Sequence, residues 1–585
     1  MAVQNKVFLI FLFSCLHLSQ VKAQEVVDSV YSIRFEGISL PEALIKLNEL
    51  EGVKLSYNPD KILQDKKVEA VFVNESIENI LEEILGPDFE IKVRGTYLII
   101  QPKKEPVKKK HPVKLSGSVK DATTGQVIKD VTVYEVNELD ATLTNDRGEF
   151  DLFVKSKSDY LTLAVSQVNY QDTIIQVRDI SEMNVKLQPI KKDRTKLFDR
   201  FEIETKKLVQ FFTTSESRKN ARNVYMQEEQ FFQFSVVPLI GTNGKLSGQI
   251  KNKFSVNLLA GYAYGVNGLE IGGFYNIDRR TVSGVQMAGF GNAVGGESHG
   301  VQLAGFLNTT KGYTNGVQGA GFVNIVSDDV KGVQGAGFVN VSKKIEGVQG
   351  AGYVNVAAET KGVQGAGFVN VAKDMEGFQG AGFVNVANDV KGVQAAGFVN
   401  FAQKLRGVQI GILNIADTVE TGVPIGLLNI VRRGMIQFGV EHNEFMNYNV
   451  ALRTGLYKFY SVISAGITPS DKNLWSYGFG FGTQYKIKSN WYGNVELSAH
   501  NIIESGRDQM DQDLNLLNRL NLNFGYQLAK RFSLNMGPVL NLYLSKIYDP
   551  VTDVYGDFNQ NGFYESVTDD VFVSAWVGYA ASLRF

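Results

Sequence analysis

Residues 332–340 read GVQGAGFVN, and this nine-residue segment recurs along the chain with a short polar spacer after each copy. The first glycine of a copy stands at eleven positions, separated by 16 residues in the first four steps and by 15 in the last six. These positions are Gly268, Gly284, Gly300, Gly316, Gly332, Gly347, Gly362, Gly377, Gly392, Gly407 and Gly422. A short fixed period indicates one small structural unit stacked on copies of itself. Such a stack builds a scaffold or a surface, and we do not expect an active site in it.

Two architectures fit the repeat array of residues 268–434. In the first, each copy is one coil of a β-solenoid, so that identical residues stack about 4.8 Å apart in ladders. In the second, each copy is a strand and turn of a β-barrel with roughly 20 strands. Antiparallel barrel strands would set identical residues at different depths, and both faces of the repeat are half glycine, alanine or amide. The sequence therefore favours the solenoid, with extra barrel strands as the alternative.

Strict alternation along residues 333–341 predicts two faces for each copy. One face would carry valine and glycine, and the other Gln334, Ala336, Phe338 and Asn340. The amide side chains then form either hydrogen-bonded ladders along the stack, which we favour, or a stripe that binds a ligand. The pattern, with its closing run GVPIGLLNIVRRG at 422–434, resembles a family of surface repeats known from bacterial outer-membrane and surface proteins. The resemblance implies no particular chemistry.

The composition limits the classes of partner. A chain of 585 residues is too long for one core and should form several domains. Its formal net charge of −1 provides no overall field to attract nucleic acid, so we expect no nucleic-acid partner. The 58 glycines and 11 % aromatic residues, with only 12 prolines, suit strands and tight turns.

Residues 1–23 have the pattern of a secretory signal peptide. Lys6 precedes the apolar run 7–18, and Val21-Lys22-Ala23 offers a cleavage site with small residues. Lipidation of Cys15, the one cysteine, is a less favoured alternative. No later segment has the apolar length of a transmembrane helix, so any membrane span would be a β-barrel.

Residues 30–102 alternate strand and helix patterns in a small α+β domain. The runs SLPEALIKLNELEGVKLSYNPD at 39–60 and SIENILEEIL at 76–85 carry helix caps and apolar stripes. They resemble the short N-terminal domain shared by secretins and TonB-dependent receptors. The resemblance implies a periplasmic location and contact with a periplasmic regulatory protein, or a plain adaptor role without sensing.

Residues 103–113 form a Lys/Pro linker, and residues 114–190 then show the short alternating strands of a β-sandwich. The runs DATTGQVI at 121–128, TNDRGEF at 144–150 and VNY at 168–170 resemble the carboxypeptidase-regulatory-like domain. The resemblance implies a seven-stranded, non-catalytic module of the kind found ahead of outer-membrane barrels. Residues 191–230 are charged with helical spacing and predict a helical connector.

Residues 231–585 are interpreted as an outer-membrane β-barrel region that includes the repeats. Strands are predicted at 232–239 and 254–264 before the array and at eight positions after it. Those eight are 435–440, 448–457, 460–468, 475–487, 491–502, 517–529, 532–544 and 571–585. Their length and the aromatic residues at their ends are typical of strands that cross a membrane. The terminal Phe585 resembles the signal by which outer-membrane barrels are recognised for assembly.

One loop carries a candidate metal site. Asp557, Asn559, Asn561 and Glu565 place oxygen atoms at alternate positions, and Gly562 stands sixth, as in the first half of a calcium loop. Thr568 replaces the glutamate expected at the twelfth position. A Ca²⁺ site and a plain polar turn both fit, and we predict no other cofactor.

The sequence therefore predicts a mainly β, multidomain protein of the outer membrane, with its N-terminal domains in the periplasm and membrane lipid as a partner. We expect a non-enzymatic role in signalling, scaffolding or surface binding, since no nucleophile elbow, phosphate loop or paired-carboxylate motif is present. The alternatives are a passive porin, a receptor-related transporter without a plug domain, and a secreted repeat adhesin.

Overall fold

A computed structural model gives the fold of most of the chain. It describes residues 30–62, 65–94, 97–103, 113–155, 160–178, 182–190, 203–224, 228–469, 473–504, 514–549, 554–555 and 562–585. The predicted signal peptide 1–23, nearly all of the linker 103–113 and the start of the connector 191–230 lie outside these residues. The described chain is mainly β and multidomain, as predicted, and it divides into two compact units, Met1–Asn267 and Gly268–Phe585. Among the described residues, no helix has both the length and the apolar character needed to cross a membrane.

The first region is the small α+β fold that the sequence indicates. Its elements are Val30–Ser39, helix Leu40–Asn48, Leu55–Tyr57, the 3₁₀ turn Pro59–Lys61, Lys67–Ser76, helix Ile77–Leu85, Phe89–Arg94 and Tyr97–Pro102. The first helix begins at a capping box, in which Ser39 and Glu42 each accept the other's backbone N–H. Leu44 and Ile80, one from each helix, are fully buried in the core.

The second region is a sandwich of two sheets. Its strands are Val113–Asp121, Thr132–Glu135, Ala141–Leu143, Glu149–Val154, Leu161–Ser166, Thr173–Val177 and Glu182–Leu187. Four of them form one sheet and three form the other, and Val133, Leu152 and Leu163 are buried in the core. The sequence indicates six of these strands and misses Ala141–Leu143, because three residues are too few to show an alternating pattern.

The α+β region and the sandwich contact each other within the first unit. The Tyr97 hydroxyl donates to the carbonyl of Asp172 at 2.9 Å, and the Lys92 ammonium donates to the Asn137 side chain at 2.6 Å. The described part of the connector contains two short helices, Lys207–Phe212 and Ser215–Asn223. The second helix packs on the sandwich through a hydrogen bond of 2.9 Å between Asn220 and Thr132.

Two strands that the sequence assigns to the barrel have a different structure. Glu228–Val237 and Ile250–Asn257 pair with each other in parallel, with Phe232 opposite Phe254. Strands are present at residues 232–239 and 254–264 as predicted, but their assignment to the barrel is wrong, because neighbouring strands of an outer-membrane barrel run antiparallel. The error arises because alternating aromatic residues fit either kind of strand. The remaining elements here are Ile240–Gly241, the 3₁₀ turn Gly244–Gln249 and Ala260–Ala263.

The repeats form a parallel β-solenoid, which confirms the favoured architecture. Each coil pairs in parallel with the next one, and identical residues stand side by side, such as Asn340 with Asn355 and Gln349 with Gln364. The alternative of extra barrel strands is wrong, because it requires antiparallel neighbours. The strands are Gly265–Gly272, Tyr275–Asp278, Val282–Ala288, Gly291–Val294, Ser298–Ala304, Leu307–Thr310, Thr314–Ala320, Val323–Val326, Asp329–Ala336, Val339–Ala351, Val354–Ala366, Val369–Ala381, Val384–Ala396, Val399–Ile410, Leu413–Ile425 and Leu428–Val431.

Glycines make the corners of each coil. Gly347 has a φ of +138°, and a Cβ atom there would lie 2.1 Å from the carbonyl oxygen of Gly332 in the preceding coil. A second corner at Gly337 and Phe338 interrupts the strand between Ala336 and Val339. The corner resets the alternation, so Phe338 is exposed while Gln334 and Asn340 are buried. The prediction that these three side chains share a face is therefore wrong for Phe338.

The last region is an antiparallel sheet of eight strands that closes on itself, hereafter the closed sheet. Its strands are Met435–Asn443, Tyr448–Leu456, Phe459–Thr468, Leu474–Lys488, Trp491–Glu504, Asn515–Ala529, Phe532–Ser545 and Val571–Arg584. Pairing of the last strand with the first, for example Arg584 with Gly439, completes the barrel. All eight predicted strands are present. A short strand, Tyr564–Thr568, pairs beside the last one, and Tyr548–Asp549 pairs with Val554–Tyr555.

The end of the solenoid is covered by a hairpin of the closed sheet. The backbone N–H of Asn429 donates to the Thr454 hydroxyl at 3.0 Å, and its side chain donates to the Ser461 hydroxyl at 3.1 Å. Ser461 in turn donates to the carbonyl of Leu427. These contacts satisfy polar groups that an open last coil would leave unpaired.

Candidate functional site

A ladder of glutamine side chains runs through the inside of the solenoid. Each amide N–H donates to the amide oxygen of the preceding coil, as in Gln349 to Gln334 and Gln364 to Gln349, both at 2.8 Å. The members are Gln286, Gln302, Gln318, Gln334, Gln349, Gln364, Gln379, Gln394 and Gln409. All are fully buried. The hydrogen-bonded ladder is thus confirmed, and the alternative of an exposed binding stripe is wrong.

A second ladder, of asparagine, has the opposite direction. Asn340 donates to Asn355 in the following coil at 2.9 Å, and also to the carbonyl of Gly350 at 2.6 Å. Its members are Asn276, Asn292, Asn308, Asn324, Asn340, Asn355, Asn370, Asn385, Asn400, Asn414 and Asn429. The side-chain amides are thus satisfied along the stack without water.

Two buried carboxylates begin the glutamine ladder. Glu270 stands where other copies have glutamine, and Gln286 donates to its carboxylate at 2.7 Å and to that of Asp278 at 2.6 Å. Burial, and then the charge of Glu270, raise the pKa of Asp278 well above its ordinary value. A carboxylate fits this place because the first member needs only to accept a hydrogen bond.

The other end of the glutamine ladder lacks a donor. Pro424 stands at the glutamine position of the last copy, opposite Gln409. Proline has neither an amide side chain nor a backbone N–H. The side-chain oxygen of Gln409 is consequently buried without a hydrogen-bond partner.

Outside, one side of the solenoid is an unbroken apolar surface, hereafter the apolar face. It consists of the outward residue after each first glycine, the variable residue two positions later, and the aromatic residue at the corner. Val333 is 42 % exposed and Phe338 is 38 % exposed, and between them Gly335 faces open space. The corner residues are Phe274, Phe290, Phe306, Phe322, Phe338, Tyr353, Phe368, Phe383, Phe398, Ile412 and Leu427. Neighbouring rings stack with centroids 4.8 Å apart in the middle of the row.

The spacers form a charged edge on the same solenoid. In the residue before each first glycine, the sign of charge alternates along five successive coils, from Lys331 to Glu346, Lys361 and Glu376, and then to Lys391. Lys391 and Glu376 form an ion pair at 3.0 Å. The solenoid therefore has one apolar side and one charged edge around an interior of amide ladders, and two carboxyl groups begin the glutamine ladder.

The closed sheet encloses a charged network. Arg453 donates to Glu496 at 2.7 and 2.8 Å and also to Glu441, and Arg584 donates to Glu496 at 3.1 Å. The Tyr460 hydroxyl donates to the same Glu496 carboxylate at 2.8 Å. All but Glu441 are almost fully buried. The network links residues from five of the eight strands, and an interior filled by side chains is expected of a barrel with eight strands.

A loop closes the mouth of the sheet that lies away from the solenoid. Phe445 and Met446 are buried there against Trp576 and Tyr543. Glu444 accepts hydrogen bonds from the side chain of Asn541 and the backbone of Tyr579. Together with the charged network, this loop leaves the interior of the sheet occupied.

A serine–histidine pair also lies inside the closed sheet. The Ser498 hydroxyl and the His500 ring are 2.9 Å apart, a distance at which a base can activate a nucleophile. Both side chains are buried within the sheet, and the hydrogen bond joins two neighbouring residues of the same strand face.

The predicted calcium loop lies mostly outside the described residues. Asp557, Asn559 and Asn561 fall there, while Glu565 lies on the strand Tyr564–Thr568 and accepts the backbone N–H of Gly562 at 3.0 Å. Among the described residues, no group of three or more His, Cys, Asp or Glu side chains is arranged to hold a metal. The calcium site stays a prediction.

Two of the three sandwich motifs, 121–128 and 168–170, come together at one turn. Asp121 accepts the backbone N–H groups of Thr123 and Thr124 and the Tyr170 hydroxyl, the last at 2.9 Å. The hydrogen bond from Thr124, followed by that from Thr123, lowers the pKa of Asp121. A cavity of about 480 Å³ beside the turn is lined partly by Lys129 and Asn169. The arrangement fixes the turn, which accounts for the spacing of these residues in the sequence.

No protein-family model matches this chain, and no curated protein matches it significantly.

The apolar face and the charged interior of the closed sheet are the features that sequence reasoning missed. The alternating charges before Gly347, Gly362, Gly377 and Gly392 were readable in the sequence as a sign that these residues stack. The partners of Glu496 were not, because they come from distant strands.

Proposed function

We propose that the protein is a non-enzymatic component of the outer membrane of a diderm bacterium. The closed sheet would be its lipid anchor. The solenoid would be a scaffold or binding surface, and the α+β and sandwich domains would be interaction modules in the periplasm. The proposal rests chiefly on one observation, the polarity of the closed sheet.

That polarity is the reverse of a water-soluble barrel. Arg453, Glu496 and Arg584 lie inside, whereas Leu522 and Phe524 on a central strand point outward and are exposed. In water such an exterior would be a large apolar patch of the kind that marks an interface. In a bilayer the same exterior is the lipid-facing band of a membrane barrel.

Exposed aromatic residues near both ends of the strands support the same placement. Tyr448, Trp475, Tyr477 and Tyr579 lie toward one end, and Tyr457, Tyr485, Trp491, Tyr526 and Phe532 toward the other. Aromatic girdles of this kind sit at the two interfaces of a membrane. The occupied interior argues against a passive pore, because Arg453, Glu496 and the loop with Phe445 fill the space through which solute would pass.

The partner proposed for residues 30–102 follows from their resemblance to the short N-terminal domain of signalling receptors. Val71 and Val73 are exposed on the strand Lys67–Ser76, which offers an apolar contact surface. We propose that a periplasmic regulatory protein binds this domain. Loss of co-purification on replacing both valines by lysine would support this contact.

Cell fractionation tests the anchor. The full-length chain, produced in a diderm bacterium, should sediment with the outer membrane and require detergent for extraction. Leu522→Lys should reduce its amount in that fraction, because a charge in the middle of a lipid-facing strand destabilises a barrel by about 2–4 kcal/mol. The matched control is Val71→Lys, an exposed apolar residue outside the closed sheet, which should leave the amount unchanged.

A chain that is freely soluble without detergent contradicts the proposal. Recovery of the intact chain from culture supernatant instead favours a secreted repeat adhesin. Equal membrane amounts of Leu522→Lys and wild type also count against a lipid-facing position for that strand.

A further inference from the structure

The apolar face is too large to be an ordinary exposed surface. Its corner row alone contains seven aromatic residues that are each about 40 % exposed, Phe306, Phe322, Phe338, Tyr353, Phe368, Phe383 and Phe398. An aromatic side chain has about 150–250 Å² to bury, so with the valine row the face offers roughly 1,000 Å². Single patches on soluble monomers are usually about 300–600 Å². The face therefore has the size of one side of a specific protein interface, about 800 Å².

The composition of the face distinguishes a protein partner from lipid. Gly335, Gly350 and Gly365 point outward into open space, which lets another backbone approach closely. The closed sheet does the reverse. Its Gly478, Gly480 and Gly482 lie against interior groups, the His500 ring, Ser498 and the Tyr460 ring, and its outward residues are large. One chain thus carries two apolar surfaces, and the apolar face differs from the closed sheet in having outward glycines between its rows of valine and aromatic side chains.

The spacing of the face identifies the partner. Its rows repeat at the strand spacing, with ring centroids 4.8 Å apart between Phe322 and Phe338 and 4.9 Å apart between Tyr353 and Phe368. A surface with another spacing would match only one or two rows. A second copy of the same face has the same spacing at every row. The valine and phenylalanine rows protrude beside the glycine row, so the protruding rows of one copy can fit over the glycine row of the other. A two-fold axis uses the same patch on both copies.

We propose that two copies of this chain associate through their apolar faces, with the side chains of one copy seated over the outward glycines of the other. The interface would be dry and regular, like the paired sheets of a steric zipper, but limited in length by the ends of the solenoid. The association does not depend on the membrane placement of the closed sheet, and it goes beyond the function proposed above.

The test is the mass of the purified full-length chain across a range of micromolar concentrations, measured by light scattering with correction for bound detergent. Wild type should be a dimer. The double variant Gly350→Leu, Gly365→Leu should be mainly monomeric, with a dissociation constant raised about tenfold or more, because leucine fills the space that the partner would enter. The structure leaves that space open within each copy, so the substitutions should spare the fold.

The matched control is Ala358→Leu, which adds a leucine at an exposed position on the charged edge of a coil that also contains Gly365. It should remain dimeric. If the leucine double variant does not fold, Val348→Lys provides the same test, since lysine at that exposed position should prevent association.

A monomeric wild type throughout the concentration range overturns the inference, and so does a folded double variant that dimerises as tightly as wild type. Loss of the dimer in Ala358→Leu as well would show that another surface forms it, which also overturns the inference. Should the chain prove soluble, the same measurement is made without detergent, so failure of the membrane anchor and failure of the dimer give different results.

Discussion

The solenoid and the closed sheet solve one problem in two ways. Both bury polar side chains and expose apolar ones, yet the main hydrogen bonds inside them join different kinds of groups. The solenoid holds neutral amides such as Gln349 and Asn355, and the closed sheet holds the ionised groups of Arg453, Glu496 and Arg584. The difference follows from the identity of neighbouring residues, since coils of the solenoid meet copies of themselves and strands of the closed sheet meet unlike strands.

In a stack of identical coils each residue lies beside its own copy, so its side chain must be able to interact with an identical side chain. An amide side chain donates and accepts, so it can form hydrogen bonds with its own copies on both sides of the stack. A charged side chain repels its copy. The charged edge obeys the same constraint. The residues that stack there have opposite charges in successive coils, Lys361, then Glu376, then Lys391, so that like charges do not face each other. In the closed sheet, unlike strands can bring arginine to glutamate directly.

The largest expected effect is the loss of Glu496. In Glu496→Ala, Arg453 and Arg584 would remain buried without their main partner. Removing one member of a buried ion pair costs about 3–5 kcal/mol. We expect chemical denaturation in detergent to show a loss of this size, or no folded protein. Glu496→Gln should lose less stability, because glutamine has nearly the same shape and its side-chain oxygen can still accept a hydrogen bond. A loss below about 1 kcal/mol in Glu496→Ala would mean that the network is open to water.

Two glycines in one coil of the solenoid test how strictly the stacked backbone requires glycine. Gly347→Ala places a side chain at a φ of +138° and against the carbonyl of Gly332. The strain alone should cost about 1–3 kcal/mol, and the clash adds to it. Gly350→Ala, three residues later, meets open space and should be neutral or slightly stabilising. Thermal unfolding of the two variants measures the difference, and equal midpoints would contradict the stacked geometry.

The glutamine ladder tests whether a stacked residue must both donate to and accept from its copies. Gln364→Glu removes the donor that Gln349 accepts from, while its oxygen can still accept from Gln379. The buried carboxylate should cost about 1–3 kcal/mol near neutral pH. Protonation supplies an O–H donor, so the cost should shrink as the pH falls. Because Glu270 accepts from Gln286 at the start of the ladder and a glutamine oxygen can do the same, Glu270→Gln should not be destabilising. A cost for Gln364→Glu that is independent of pH would contradict this account.

The smallest expected effect is on pH dependence. Burial and Glu270 raise the pKa of Asp278, so the folded state binds its proton more tightly than the unfolded state does. The stability that Asp278 contributes is therefore full below its unfolded pKa of about 3.9 and is lost as the pH rises through the folded pKa. Asp278→Asn should flatten the decline of the unfolding temperature between acid and neutral pH. Glu359→Gln, on the exposed charged edge, is the control, and an equal flattening in it would rule out this origin.

The sequence predicts these two regions unequally well. The solenoid follows from the near-identity of its copies, because only parallel stacking keeps Asn340 beside Asn355. Its corner at Gly337-Phe338 does not, since alternation alone cannot show where a strand bends. The eight strands of the closed sheet follow from their alternation and turns. The meeting of Arg453 with Glu496 does not, because it depends on closure of the sheet between positions 43 residues apart.

The special residues at the two ends of the amide ladders have a consequence for inheritance. Glu270 and Asp278 begin the amide ladder, and Thr454 with Ser461 receives Asn429 at the far end, so the middle coils touch only their neighbours. Genetic deletion or duplication of one complete period, such as residues 347–361, would leave each remaining coil with the same kind of neighbour. Alleles of this gene should therefore differ in whole units of 15 or 16 codons, by unequal crossover between the copies, without a change of fold.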